Sequence, residues 1–165
     1  MLELRTLTPD DWKSWRELRL YALTEAPHAF GARLADWQGD GDREDRWRAR
    51  LGIPRSYNVL AVRDGEPVGM ASGVPTDDER VVELISMYVA PAGRGRGVGH
   101  ELVRAVAEWA RRSGAEVLRL SVAEGNDAAM GLYRRSGFTD TGRFGDLMAD
   151  GVRREHVMEK RLPTR

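Results

Sequence analysis

Apolar and polar residues alternate at the start of the chain, where Leu2, Leu4 and Thr6 are set against Glu3 and Arg5. This period of two predicts a short strand. Thr8-Pro9-Asp10-Asp11 reads as a helix start: Thr8 can cap a free amide, Pro9 suits the first helical position, and Asp11 stands where a capping box places its acid. The helix is expected to run to about Leu23, with Trp15, Leu18 and Ala22 on one face. A second helical pattern spans Asp42 to Leu51 and sets Trp47 and Leu51 one turn apart, and Ala26 to Gly31 between the two is a loop. From Tyr57 the period shortens to that of strands. Val59 to Val62, the turn dipeptide Asp64-Gly65 and Val68 to Val74 predict a hairpin, and the mostly apolar run Val81 to Val89 predicts a central strand.

Helical spacing returns after a glycine-rich loop. Leu102, Val106, Trp109 and Ala110 mark a helix from Val98 to Arg112 that Ser113-Gly114 stops. Leu118 to Val122 follows as a strand, Asn126 opens a short helix through Arg135, and Gly137 ends it. Weaker strand patterns fill Phe138 to Thr141 and Glu155 to Leu162. This order predicts a mixed α/β sheet flanked by helices, in which Val81 to Val122 forms one parallel strand-helix-strand crossover.

Composition narrows the class. A chain of 165 residues, 41% hydrophobic and 32% charged, is expected to fold as a single domain over residues 1–165. No apolar run approaches the roughly 18 residues of a membrane span, and Met1 to Arg5 lacks a signal core, so a cytoplasmic protein is expected. There is no cysteine, and His28, His100 and His156 are dispersed, so no metal is expected. The 26 basic and 26 acidic residues cancel, which gives no reason to expect nucleic acid or an anionic membrane as a partner.

The strongest chemical signal is the loop from Val89 to Gly99, where Gly93, Gly95, Gly97 and Gly99 alternate between a buried strand and a long helix. Glycines let backbone amides converge on one point, and the helix start adds its partial positive charge, a combination suited to pyrophosphate. The dinucleotide pattern fails, because Val98 and His100 stand where a third glycine belongs. The P-loop pattern fails too, since neither Lys13 nor Lys160 is near.

Arg94, Gly97 and Gly99 match in register the acyl-coenzyme A loop of the GNAT superfamily of N-acetyltransferases, and Asn126, Ala129, Tyr133, Gly137 and Phe138 match a second element of that family. The chain therefore resembles a GNAT N-acetyltransferase, most closely from about Tyr57 to Phe138. The resemblance implies a single mixed, mostly antiparallel sheet with one parallel crossover, flanked by helices: the GNAT-like acyl-CoA N-acyltransferase fold. It also implies acetyl-CoA as co-substrate, with the amides of Arg94, Gly95, Arg96, Gly97, Val98, Gly99 and His100 around the pyrophosphate. The backbone of Met87, Tyr88 and Val89 would lie along the pantetheine arm, whose amides an opened strand edge can satisfy.

Acetyl transfer to an amine needs a neutral amine, a stabilised oxyanion and a proton for the departing thiolate. Glu83, six residues before Val89, matches the family's general-base position. It also interrupts the apolar run Val81-Val82 and Leu84-Ile85, where an idle carboxylate would be costly; the competing reading is a strand-end charge or salt bridge. Tyr133 lies two helical turns after Asn126 and is assigned the thiolate's proton, against the alternative of a core ring with a local hydrogen bond. Asn126 is expected both to cap its helix and to contact the cofactor. Trp12, Trp15, Trp37 and Trp47, with Phe30 and the acids Asp36, Asp40 and Asp42, could bind a cation. Core packing and simple solvation account for them better, however, and neither they nor His28 are assigned to catalysis.

The expected activity is transfer of an acetyl group from acetyl-CoA directly to a primary amine, the acceptor being a small molecule. Transfer to a protein or peptide amine is one alternative, and a noncatalytic acyl-CoA-binding module is another. A homodimer is left open.

Overall fold

The structure, a computed structural model, describes residues 1–27, 34–148 and 151–163. Its strands are β1 (Leu2–Thr6), β2 (Tyr57–Arg63), β3 (Glu66–Pro75), β4 (Val81–Val89), β5 (Val117–Ala123), β6 (Thr139–Leu147) and β7 (Arg154–Arg161). They form one seven-stranded sheet in the order β1-β2-β3-β4-β5-β7-β6. Every neighbouring pair is antiparallel except β4 with β5. A parallel pair needs a long crossover, and helix α3 (Val98–Arg112) supplies it. The other helices are α1 (Trp12–Glu25), α2 (Glu44–Leu51) and α4 (Asp127–Arg135).

Local chemistry sets the boundaries. At Thr8 the capping box forms, its amide donating to Asp11 Oδ2 at 2.8 Å while its Oγ1 accepts from the Asp10 amide at 3.3 Å. A short 3-10 turn, Pro9–Asp11, leads from there into α1, which continues to Glu25, two residues past the expected end. Asp64 and Gly65 both take positive φ, 51° and 84°, the geometry that closes a two-residue hairpin between β2 and β3.

Two boundaries differ from expectation. Helix α2 begins at Glu44, not Asp42, because the Asp42 carboxylate is committed elsewhere: Arg16 Nε and Trp47 Nε1 donate to it at 2.7 and 2.8 Å. These bonds hold its pKa down at about 2, so this acid ties α1 to α2 where simple solvation was expected. Strand β6 runs to Leu147, well past Thr141, because it is an exposed edge whose polar, glycine-containing sequence carries little strand signal. Of the Ala26 to Gly31 loop, His28, Phe30 and their neighbours lie outside the described residues.

Alternation along β2 and β3 sorts side chains into two cores. Val59, Ala61, Val68 and Ala71 face α3, while Leu60, Val62 and Met70 face α1 and α2, where they meet the buried Trp15 and Trp47. Helix α3 lies close on the sheet because β3 is small there. A Cβ at Gly73 would stand 2.7 Å from the Trp109 ring, and that ring stacks on Tyr57 with centroids 5.5 Å apart. Among the described residues no helix is long and apolar enough to cross a membrane.

Candidate active site

The parallel pairing of β4 and β5 is short. Val81, Val82 and Glu83 pair with Val117, Leu118 and Arg119, and beyond that point the two strands continue without further register pairs. A bulge in β4 marks the change: against β3 the register skips between Met70 and Ser72, and Ser86 takes a left-handed φ of 54°. A bulge bends its strand, so Leu84 to Val89 turns away from β5 and leaves one backbone edge facing a cleft. Glu83 stands at the apex of that cleft.

The glycine loop closes one end of it. Gly95 and Gly97 have φ of 75° and 78°, a conformation that side-chain-bearing residues adopt at a cost, and Gly97 is the N-cap of α3. The first bond into the helix runs from the Glu101 amide to Gly97 O, 3.1 Å, so the amides of Val98, Gly99 and His100 have no acceptor within the helix. These amides and the helix dipole together could hold an anion through backbone alone. Gly99 serves contact as well, since a Cβ there would come within 2.9 Å of Leu132 on α4.

A cavity of about 1040 Å³ runs along the cleft. Met87, Tyr88, Val89, Arg94, Gly95, Gly97, Val98, Gly99, His100 and Asn126 all line it, whereas the Arg96 side chain is exposed and off its wall. The Arg94 guanidinium donates to Val89 O at 3.1 Å and pairs with Glu25, which also accepts from the Tyr88 hydroxyl at 2.8 Å. Arg94 therefore fastens the loop to β4 and to the end of α1. The Asn126 side chain accepts from the Ala129 amide at 3.2 Å, capping α4 as expected. Arg135 and Arg153 also line the cavity and add positive charge; the sequence reading passed over both.

A second, smaller cavity of about 350 Å³ opens on the other side of the cleft. Glu83, Ser86, Trp15, Trp37, Trp47, Arg19 and Arg50 line it, together with Asp146 and Glu155 from the last two strands. Trp15 and Trp47 are buried as core residues were expected to be, yet each shows an edge to this space. Glu83 is ion-paired, its Oε2 accepting from Arg119 at 3.2 Å, so the salt bridge and the position on the cavity wall hold together. Glu155 is the perturbed acid: burial, then the neighbouring Asp146 and Glu83 charges, push its pKa up, opposed only in part by the Asp146 amide.

Met87 and Tyr133 line both cavities. The Tyr133 ring is 7% exposed and meets Phe138 edge-on at 5.8 Å, but its hydroxyl makes no hydrogen bond among the described residues. Burial pushes the phenol pKa up from 10.0, which keeps the proton on the oxygen at neutral pH.

The family model "Acetyltransferase (GNAT) family" matches residues 10–138. An L-methionine sulfoximine/L-methionine sulfone acetyltransferase of Pseudomonas paraeruginosa is 38% identical over 101 residues, 58% of this chain and 56% of that protein. A streptothricin acetyltransferase of Streptomyces lavendulae is 30% identical over 129 residues, 76% of this chain and 66% of that protein. The chain thus spans between about half and two thirds of the length of these curated relatives. Among solved structures, YncA from Salmonella typhimurium with its cofactor acetyl-CoA has the same fold, at a TM-score of 0.77 and 23% identity over 100% of this chain and 96% of that one. With a family match across most of its length and a sheet split at the same parallel pair that the motifs foretell, the chain belongs to the GNAT acetyltransferase family.

Proposed function

We propose that the protein transfers the acetyl group of acetyl-CoA directly to the primary amine of a small molecule, in a cytoplasmic setting. The observation that carries the reading is the meeting of two cavities at Met87 and Tyr133, one shaped for a long phosphorylated thioester and one for a compact acceptor. The larger fits acetyl-CoA on three counts: a backbone anion site at Gly97 to His100, an unpaired β4 edge for peptide-like amides, and enough volume for an extended arm. Bound there, acetyl-CoA would supply an activated acyl carbon and a thiolate leaving group.

The chain's own groups would supply the rest. An amine arrives mostly as ammonium, and Glu83 and Glu155 face the cavity where it would enter; Glu83 would take the proton as the expected base, with Glu155, whose proton affinity is raised, as a second acceptor beside it. The acceptor nitrogen then bonds to the acetyl carbon as the carbon-sulfur bond breaks, the Tyr133 hydroxyl, still protonated, gives its proton to sulfur, and the second proton leaving the nitrogen returns to the Tyr133 oxygen through solvent. A small acceptor suits a cavity of about 350 Å³ walled by tryptophans better than a peptide does, and the named relatives are acetyltransferases of small molecules.

The test is thiol release from acetyl-CoA against amino acids, polyamines, aminoglycosides, amine metabolites and peptides, with the acetylated product weighed by mass spectrometry. Release matched by one N-acetyl product supports the reading. Tight acetyl-CoA binding without transfer to any amine would favour the noncatalytic binding module.

A further inference from the structure

The acceptor cavity is electrically divided. Glu83, Asp146 and Glu155 form an acidic wall contributed by β4, β6 and β7, and Arg19 and Arg50 form a basic wall contributed by α1 and α2. Trp15, Trp37 and Trp47 lie along the same boundary.

Arg50 is an unusual cation. Its Nη1 donates to Asn58 Oδ1 at 3.0 Å, and its Nη2 donates to Ser72 Oγ and Ser86 Oγ, each at 3.0 Å. All three partners are neutral, and among the described residues no carboxylate lies within ion-pair distance of Arg50. A guanidinium has five N–H donors, so these bonds leave two for the cavity that Arg50 lines. Its face also lies over Trp15, 5.1 Å from the ring centroid, which fixes its plane.

Arg19 stands one turn after Trp15 on α1, lines the same wall, and is near enough to Arg50 for the two charges to repel. Burial lowers the pKa of both to about 10, so both remain cationic at neutral pH while partly stripped of water. Holding Ser86 in its bulge accounts for one Arg50 hydrogen bond and leaves its remaining donors without a use in the fold. A buried guanidinium on a cavity wall is stabilised by an anion in that cavity.

We propose that the acceptor is a compact zwitterion, an amine carrying its own carboxylate, with the carboxylate held by Arg50 and Arg19 and the ammonium directed to Glu83 and Glu155. An α-amino acid with an apolar side chain has this chemistry, and the tryptophan walls suit that side chain. The inference rests on the proposed acetyl transfer and narrows its substrate class. Arg50 acts in it as a specificity residue with no part in the proton transfers.

The experiment measures thiol release by the parent protein with leucine, phenylalanine and methionine, each beside its carboxamide and its decarboxylated amine. Phosphoethanolamine serves as the arm that separates phosphate from carboxylate. The carboxylate members are expected to show KM values at least tenfold below those of their partners, and Arg50→Gln is expected to abolish that preference by raising the carboxylate KM alone. Arg19→Gln, on a different helix, gives the same readout if the Arg50 variant fails to fold. Equal or better turnover of carboxamides and plain amines overturns the zwitterion while leaving acetyl transfer intact. A preference for phosphoethanolamine overturns the carboxylate in favour of a phosphate. Calorimetry with coenzyme A present separates the remaining case: if leucine binds through Arg50 but no amine turns over, the anion site stands and the transferase reading falls. If neither binding nor turnover depends on the carboxylate, the inference falls.

Discussion

Replacing Tyr133 by Phe removes one oxygen from the point where the two cavities meet. Its ring is 7% exposed and packs edge-on against Phe138, contacts that Phe retains. The hydroxyl makes no hydrogen bond among the described residues, so the usual loss of about 0.5 to 1.5 kcal/mol for a broken internal bond does not apply, and the melting temperature should stay near that of the parent. Catalysis is another matter. A positioned general acid contributes about 10²- to 10⁴-fold, so kcat should fall by at least about 10²-fold, equivalent to about 2.7 kcal/mol of barrier. Affinity for acetyl-CoA should barely change, because the phosphates and the β4 edge bind elsewhere. Steady-state thiol release, calorimetry with acetyl-CoA and a melting curve on the one variant give all three numbers. A kcat within about twofold of the parent would refute the acid role, whatever happened to stability.

Other perturbations follow from the same geometry. Gly97→Ala and Gly97→Glu both strain a φ of 78°, but only Glu adds a negative charge at the α3 start, so calorimetry should show a moderate loss of acetyl-CoA affinity for the first and a severe one for the second. Glu83→Gln should lower the transfer rate most at neutral pH and least at alkaline pH, where more acceptor is already deprotonated; a pH-rate profile unchanged in shape and height would leave Glu83 a structural partner of Arg119. For Glu155 the sign runs opposite to that of an ordinary ion-paired acid. Between the normal 4.5 and its raised value the folded chain binds the extra proton, so this group's contribution to stability falls as pH rises through that window. Glu155→Gln should therefore melt above the parent at pH 7 and level with it near pH 4, and equal melting points at both would remove the acidic cluster from the argument.

How far the sequence foretold this site depends on where each residue sits. The long apolar run of β4, the alternating glycines and the capping Asn126 are local signals, set by neighbours in the chain, and they foretold the elements that border the larger cavity. The smaller cavity is assembled from distant segments. Asp146 and Glu155 come from late strands with little periodicity, and their proximity to Glu83 arises only because β7 crosses back to pair with β5. Arg19 and Arg50 did leave a trace: Arg19 falls four residues after Trp15, and Arg50 falls three after Trp47 and one before Leu51, which places both on apolar helix faces. A cation on such a face is a signal of function or of a buried partner, and here both cations line the smaller cavity. The Arg94 side chain teaches the reverse, since its motif position is right while its guanidinium braces the loop against Glu25. The bulge at Ser86 could not be read at all, because nothing in the residue type distinguishes a bulged serine from a paired one.

The most direct test of the central claim is backbone hydrogen exchange with and without acetyl-CoA. The loop amides from Gly97 to His100 and the free edge of β4 from Leu84 to Val89 should gain protection together, while the paired stretch Val81 to Glu83 stays as it was. Protection that spares both segments, or falls on the opposite edge of the sheet around β1, would contradict the account.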